Sequence, residues 1–360
     1  MERVVLDMQF MKIESLLATF DEHLWSSVVV MPSPRVSICL ITYNHEEYLE
    51  TTLNSILEQH TDFDFEVVIG DDYSTDSTPN IIKSFAKKYP NQIRAYLHPY
   101  NLSKEFKEYP PAKLNFLHAL YQTRGQYVVH IEGDDYFCDT QKLQKQVDYL
   151  ETNLNSSACF HNAKIIYEDN SGREEELLNS VETPKFITTK DLILDAETWF
   201  MATASVMFRR GLVLPFPDWF WYCKSGDIPL YFLLSQKGSI FYMQDVMSIY
   251  RKNLGGMSFT DSNQDADFIE NRIFMYSNMN RETKYTFDST FKAILAKYYL
   301  SLCQTKQYKT LFFKKLYITL KSYWYVRPTS WEQLTIHFRD YVVTDLLTGL
   351  YFFLKTGKIR

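Results

Sequence analysis

The chain has 360 residues, enough for one large domain or two ordinary ones with a true core. Hydrophobic residues make up 46% and charged residues 23%, a soluble globular balance. The net charge of -6 argues against nucleic acid as a partner.

That charge is unevenly spread. Residues 301–360 carry ten Lys or Arg against three acids, a surplus of +7 on a body of -13. A basic, aromatic tail on an acidic body suits an anionic surface such as a membrane. The five cysteines (39, 138, 159, 223, 303) are odd in number and show no Cys-x-x-Cys spacing, so a reduced compartment is expected. No run of about 18 uncharged apolar residues predicts a transmembrane helix. The first 30 residues hold acids throughout and lack the basic start of a signal peptide.

Residues 1–34 read as an appended amphipathic segment closed by Pro32 and Pro34. Val36–Ile41 is a nearly continuous apolar run, as expected of a strand buried on both faces. A helix over 46–59 follows, with Leu49, Leu53, Ile56 and Leu57 on one stripe. Phe65–Gly70 reads as a second strand. Thr78 caps the next helix, with Pro79 in its first turn. Ile93–Leu97 reads as a third strand, 111–122 as a helix, Tyr127–Ile131 as a fourth strand and 140–152 as a helix. This alternation predicts a doubly wound α/β sheet. Such sheets bind ligands beyond the carboxyl ends of their strands. Residues 157–167 predict a further strand and 172–190 a polar loop. From about 265 onward the pattern is helical.

Acids stand at two of the predicted strand ends. Asp71-Asp72-Tyr73-Ser74-Thr75-Asp76 follows the second strand, and Glu132-Gly133-Asp134-Asp135 the fourth. A carboxylate at the first place can accept from a base N–H or a ribose hydroxyl, or simply build a turn and helix cap. At the second, an extended backbone would point Glu132 and Asp134 to one face. Two carboxylates converging there repel unless a cation lies between them. Hard cations such as Mg²⁺ and Mn²⁺ take such oxygens and share them with phosphates. Gly133 leaves room for a ligand near the backbone.

These acidic strand ends, with Thr42-Tyr43-Asn44 after the first strand, resemble the family 2 glycosyltransferases of GT-A fold. The matching strings are Val-Ser-Ile-Cys-Leu-Ile-Thr-Tyr-Asn-His at 36–45, Asp-Asp-x-Ser-Thr-Asp at 71–76 and Glu-Gly-Asp-Asp-Tyr at 132–136. The resemblance covers 35–165 well and 195–256 more loosely. It implies an inverting, metal-dependent enzyme that passes one sugar from a nucleotide-sugar, with a lean towards a UDP-sugar, to an acceptor hydroxyl. Thr42, Tyr43, Asn44, Asp71 and Asn115 would serve the donor side, Glu132 the ribose, and Asp134 the Mn²⁺ or Mg²⁺ bridging the diphosphate. Asp72, Gly133 and Asp135 would lie beside them. Two departures stand out: Tyr73 occupies a position where many members carry a small residue, and Glu132 replaces the more usual Asp.

The resemblance also implies a general base at Asp227, in Ser225-Gly226-Asp227-Ile228-Pro229, although the same acid makes a good helix cap. Tyr250-Arg251-Lys252 ends a strand-like stretch over 239–251, ahead of Gly255-Gly256. The resemblance implies a basic residue here on a loop over the donor, where Arg251 would pair with diphosphate oxygens or remain a solvated basic turn. Thr203 and Ser205 lie in a stretch similar to the family's acceptor-side strand, and Trp219–Tyr222 would line the acceptor site or pack as a loop. The Gln/Arg-x-x-Arg-Trp signature of processive synthases is missing, which favours single-sugar transfer.

The implied organisation is an extension (1–34), a GT-A domain (35–260, with a nucleotide-sugar half to 165 and an acceptor half after it) and a helical, basic, aromatic-rich region (265–360). Residues 306–325 and 341–354 suit either an interfacial helix near anionic lipid or a bundle capping the domain. The expected setting is cytoplasmic, with peripheral contact to the inner face of the plasma membrane, and the acceptor a lipid-linked saccharide in surface-polysaccharide synthesis. Dehydrogenase and P-loop readings fail for lack of Gly-x-Gly-x-x-Gly and Gly-x4-Gly-Lys-Ser/Thr. A sugar nucleotidyltransferase, which wants a Gly-rich basic loop near the first strand, and an inert sugar-nucleotide-binding protein are the rivals.

Overall fold

All seven residues of Val36–Thr42 are buried, and so are all seven of Phe65–Asp71. Neither run alternates because each strand is covered on both faces. The computed structural model describes residues 13–26, 33–168, 172–194, 200–253 and 266–309, together with Lys321. Gly255-Gly256, the segment 341–354 and nearly all of 310–325 lie outside the described residues.

In chain order the elements are α1 (Ile13–Ala18), β1 (Val36–Thr42), α2 (Leu49–Leu57), β2 (Phe65–Asp71), α3 (Thr78–Lys88), β3 (Ile93–Leu97), α4 (Leu102–Glu105), α5 (Lys113–Tyr121), β4 (Tyr127–Glu132), β5 (Tyr136–Phe137), α6 (Lys142–Thr152) and β6 (Ser156–Glu168). Then come β7 (Glu176–Leu177), β8 (Phe186–Ile187), α7 (Thr189–Leu194), β9 (Met207–Arg209), α8 (Asp227–Ser235) and β10 (Ser239–Asn253). Helices Ala266–Glu282 and Asp288–Gln304 follow. The predicted polar loop 172–190 thus contains two short strands, which pair with β6 and β10.

The strands form one sheet in the order β3-β2-β1-β4-β9-β6-β10-β5. β3, β2, β1 and β4 run parallel, as do β6 and β10, while β9 is antiparallel to β4 and β6 between them. The core against this sheet is aliphatic: Ile38, Leu40, Val67, Ile69 and Val129 meet Leu53, Ile56, Ile82, Leu143 and Leu150 from the helices. Burying each such side chain stabilises the fold by about 1.5–3 kcal/mol before entropy is charged.

The described residues divide into two compact units. The first holds 13–26, 33–168, 172–189, 200–216 and 230–253, and the second 190–194, 217–229 and 266–309. Asp227 belongs to the second; every strand belongs to the first.

Two details depart from the sequence reading. The cap position of α3 is Ser77, not Thr78, and the Asp76 carboxylate accepts the Thr78 N–H at 2.9 Å. Thr78 instead turns its hydroxyl to the His45 N–H at 2.8 Å, because the neighbouring loop needs an acceptor there. The N-terminal segment also docks on the edge of β3. Trp25 N donates to Ala95 O at 2.8 Å, Ala95 N donates to Ser26 Oγ at 3.1 Å, and Phe20 is fully buried.

That docking gathers three imidazoles. His23 Nδ1 lies 2.8 Å from His98 Nδ1, and His118 Nε2 lies 3.2 Å from Asp21 Oδ1. Burial, reinforced by the neighbouring imidazoles, pushes His98 and His118 down to about 3. Below the ordinary histidine value of about 6.5 the unfolded chain therefore binds protons that the folded chain refuses. The fold loses nothing to this above that pH and is destabilised progressively as pH falls towards 3. Between about pH 6 and pH 5, urea unfolding should register a loss of roughly 1–3 kcal/mol, and H98F should flatten that slope.

Candidate active site

Three parallel strand ends meet where the acids lie. Thr42 of β1 is the register partner of Asp71 of β2, and Ile41 that of Glu132 of β4. The ladder continues past the strands: Asp72 N donates to Thr42 O at 3.1 Å and Gly133 N to Ile41 O at 2.9 Å. Thr42 therefore sits between the two acidic turns.

The first turn is built by its own side chains. The buried Asp71 carboxylate accepts from Ser74 N at 3.1 Å and Ser74 Oγ at 2.5 Å. Burial raises the Asp71 pKa, against the pull of the Ser74 bonds. Ser74 Oγ also accepts from Asn44 N, and Asn44 Oδ1 accepts from Thr75 N, both at 2.8 Å. The loops after β1 and β2 are thus stitched together. Asn44 and Tyr73 both adopt left-handed backbone, at φ 54° and 63°. Asn tolerates this; a bulky ring does not do so cheaply. Tyr73, the departure noted in the sequence, holds this conformation at a small residue's place.

Asp72 is committed elsewhere. Its carboxylate accepts from Leu102 N at 2.7 Å and Asn101 Nδ2 at 3.2 Å, and burial raises its pKa to about 6. It clasps the start of α4. Asn115 of α5 is also engaged with the protein: its Nδ2 donates to Gly70 O at 2.9 Å. Gly70 admits it because a Cβ there would collide with the Asn115 amide.

The second turn is tighter than the sequence implied. β4 stops at Glu132, and Asp135 N donates back to Glu132 O at 3.2 Å. Asp134 is therefore in a turn, so the expectation that Glu132 and Asp134 share a face by strand alternation does not apply. Thr52 of α2 braces the turn from the helix side, its Oγ1 lying 2.9 Å from Gly133 O and 2.7 Å from Asp135 O. Burial, then the charges of Asp134 and Glu132, hold the Asp135 carboxyl well above the usual carboxylate range.

Arg251 closes the turn. It lies inside β10 rather than on a loop, opposite Ile166 of β6. Its N–H donates to Asp135 Oδ1 at 2.9 Å, its Nη1 to Asp134 O at 2.7 Å and its Nε to Glu168 Oε1 at 3.2 Å. The guanidinium also lies over the rings of Tyr136 and Tyr48. Its backbone N–H, Nε and Nη1 all bond to the protein, which makes it a clamp on the acidic turn. The sequence reading missed two neighbours. Asn253 Nδ2 donates to Asp134 Oδ2 at 2.9 Å, fixing one carboxylate oxygen and leaving Oδ1 for another partner. His45 brings a buried Nδ1 without a hydrogen-bond partner, as does Thr42 with its Oγ1.

Gly133 packs between those two orphaned atoms. A Cβ on it would lie 2.6 Å from His45 Nδ1 and 2.9 Å from Thr42 Oγ1. Among the described residues no group of three or more His, Cys, Asp or Glu could hold a metal ion. Mg²⁺-like cations are commonly held by one or two carboxylates plus substrate phosphates and water. The one oxygen that Asn253 leaves on Asp134 suits that mode, although the space beside Gly133, expected to admit a ligand, is filled by His45 and Thr42.

Asp227 opens α8, and its Oδ1 accepts from Ser225 Oγ at 2.6 Å and Ile228 N at 2.8 Å. In the second unit Lys224 N donates to Asn271 Oδ1 and Asn271 Nδ2 to Tyr222 O, both at 2.7 Å. Within the 219–222 cluster Phe220 and Trp221 are buried. Thr203 and Ser205 lie in a 3₁₀ turn before β9, with Ser205 fully buried.

A mostly parallel sheet with acids at these strand ends is the GT-A architecture. The Staphylococcus aureus TarS fragment 1–349, solved in complex with UDP-GlcNAc, aligns with a TM-score of 0.55 at 20% identity, over 80% of this chain and 79% of that one. Residues 37–214 match the family model for glycosyl transferase family 2, which makes this stretch a family 2 glycosyltransferase domain. An uncharacterised protein of Mycobacterium tuberculosis is 34% identical over 239 residues, 63% of this chain and 62% of its own length. The chain thus spans less than two thirds of the first curated relatives it matches. The GalNAc(5)-diNAcBac-PP-undecaprenol beta-1,3-glucosyltransferase of Campylobacter jejuni is 25% identical over 308 residues, 80% of this chain and 90% of its own length.

The packing around Gly133 yields a double-mutant test. G133A should cost about 1–3 kcal/mol in thermal or urea unfolding, because the methyl group overpacks the turn. H45A in the same chain should recover most of that loss, since it removes the atom in the way.

Proposed function

We propose that this protein transfers a single sugar from a nucleotide-sugar, a UDP-sugar by preference, to an acceptor hydroxyl in cell-surface polysaccharide synthesis. The observation carrying this is the pairing of Asp71 and Thr42 in one ladder with the Asp134 turn directly across Thr42, inside a family 2 domain. The UDP-GlcNAc complex of the TarS fragment and the undecaprenol-linked specificity in the Campylobacter enzyme's name support the donor and acceptor classes.

In this reading Asp71 accepts a base N–H, with its carboxylate preset by Ser74. Thr42 offers its unpartnered hydroxyl to the same ligand. Glu132, one methylene longer than the usual Asp, contacts the ribose. Asp134 holds Mn²⁺ or Mg²⁺ through the oxygen that Asn253 leaves free, while Arg251 and Thr52 keep the turn rigid. A cation held there would supply Lewis-acid neutralisation of the diphosphate's charge. Asp227 takes the proton from the acceptor hydroxyl as its oxygen bonds to the anomeric carbon. The bond from that carbon to the diphosphate oxygen breaks, and its electron pair leaves with the nucleoside diphosphate. Attack opposite the leaving group inverts the anomeric centre.

A lipid-linked acceptor fits a protein working at a membrane surface. No helix among the described residues is long and apolar enough to cross one, so contact would be peripheral, through the basic segment 301–360.

Two variants separate donor binding from chemistry. D134N should abolish the stabilisation that UDP with Mn²⁺ gives in a thermal-shift panel. D227N should keep that stabilisation and lose on the order of 10²–10⁴ in turnover. Unchanged turnover in D227N would remove the base assignment. A wild-type chain indifferent to every nucleotide sugar, with metal or EDTA, would remove the donor site.

A further inference from the structure

Tyr73 is a bulky residue held at φ 63°, a backbone conformation that Gly or Asn would adopt with less strain. Nothing in the protein rewards it. Among the described residues its side chain makes no hydrogen bond and no ring contact, and it is 48% exposed. Its neighbours by contrast are fixed: Asp72 is clasped to Asn101 and Leu102, and Ser74 is bonded to Asp71. The turn therefore presents this one ring outward at a cost. Strain kept without a structural return marks sites of ligand contact.

The place is informative. Tyr43 follows Thr42 on β1, is 40% exposed, and belongs to the loop stitched to the Tyr73 turn through Asn44, Ser74 and Thr75. Two exposed phenol rings thus rise from adjoining strand ends beside the buried Asp71 carboxylate and the unpartnered Thr42 hydroxyl. Flat aromatic surface beside a buried acceptor matches a nucleobase, which has a π-face to stack and N–H groups to donate.

We propose that Tyr73 is a nucleotide-binding residue of the donor site, stacking on the base. This rests on the donor reading given above. It assigns to the ring an affinity contribution that acts on the base and not on the diphosphate.

Calorimetric titrations of wild type, Y73G and Y73F with UDP, UMP and inorganic pyrophosphate, each with Mg²⁺, test it. Y73G should bind UDP and UMP at least about fivefold more weakly, by equal factors, and leave pyrophosphate unaffected. Its melting temperature should stay at or above that of wild type, because glycine relieves the turn. Y73F should keep wild-type affinity for all three. Wild-type affinity of Y73G for UDP and UMP would overturn the proposal, and so would an equal loss for pyrophosphate, which would mean a collapsed turn. A wild type that binds pyrophosphate but neither nucleotide would overturn the donor reading, and this proposal with it.

Discussion

Everything chemical in this fold depends on keeping several carboxylates close together without a counter-charge in solution. Asp134, Asp135 and Glu132 fall within one turn, and Asp135 is almost wholly removed from water. Repulsion and desolvation would unravel such a turn if its backbone were not held. Arg251 supplies the only close guanidinium among the described contacts of Asp134 and Asp135, yet it binds chiefly to main-chain oxygen and to Glu168. Thr52 takes the other carbonyls, and Asn253 takes one carboxylate oxygen. Asp134 is therefore fixed in place before any cation arrives. Preorganisation of this kind spares a binding site the cost of ordering it later.

The clamp in turn explains the long β6–β10 pairing. β10 shifts register against β6 between Met243 and Val246 and again between Val246 and Ser248. Bulges of this sort re-aim the side chains beyond them. After the second shift the pairing is regular through Asn253, which carries Arg251 and Asn253 to the acidic turn.

Much of this was readable in the amino acids alone. β1, β2 and β4 are nearly continuous apolar runs because both faces are covered, and acids mark the ends of β2 and β4. What escaped was set by distance in sequence or by backbone detail. Asn253 lies 119 positions from Asp134 and nothing local marks it. The strand over 239–251 was legible, but only the family resemblance suggested a loop for Arg251, and β6 pairing carries the strand on to Asn253. Asp134 looked extended because alternation was projected two residues past the true strand end. His45 stood inside a quoted motif, but its orphaned ring nitrogen is visible only once Gly133 is packed beside it. The strain at Tyr73 was foreshadowed, since a large residue occupied a small residue's place.

The interleaving of the two units has a consequence for how this chain can be divided. The polypeptide passes between them five times, so neither is a contiguous cassette. Ending the chain after Asn253 would keep 217–229, with Asp227, while deleting the helix that carries Asn271 and Glu282. The partners of Lys224, Tyr222 and Trp219 would be lost with it. The stretch bearing the proposed base would then have no framework of its own. Recombination or engineering that exchanges the carboxyl-terminal helices alone must therefore carry 217–229 along as part of the same inheritance.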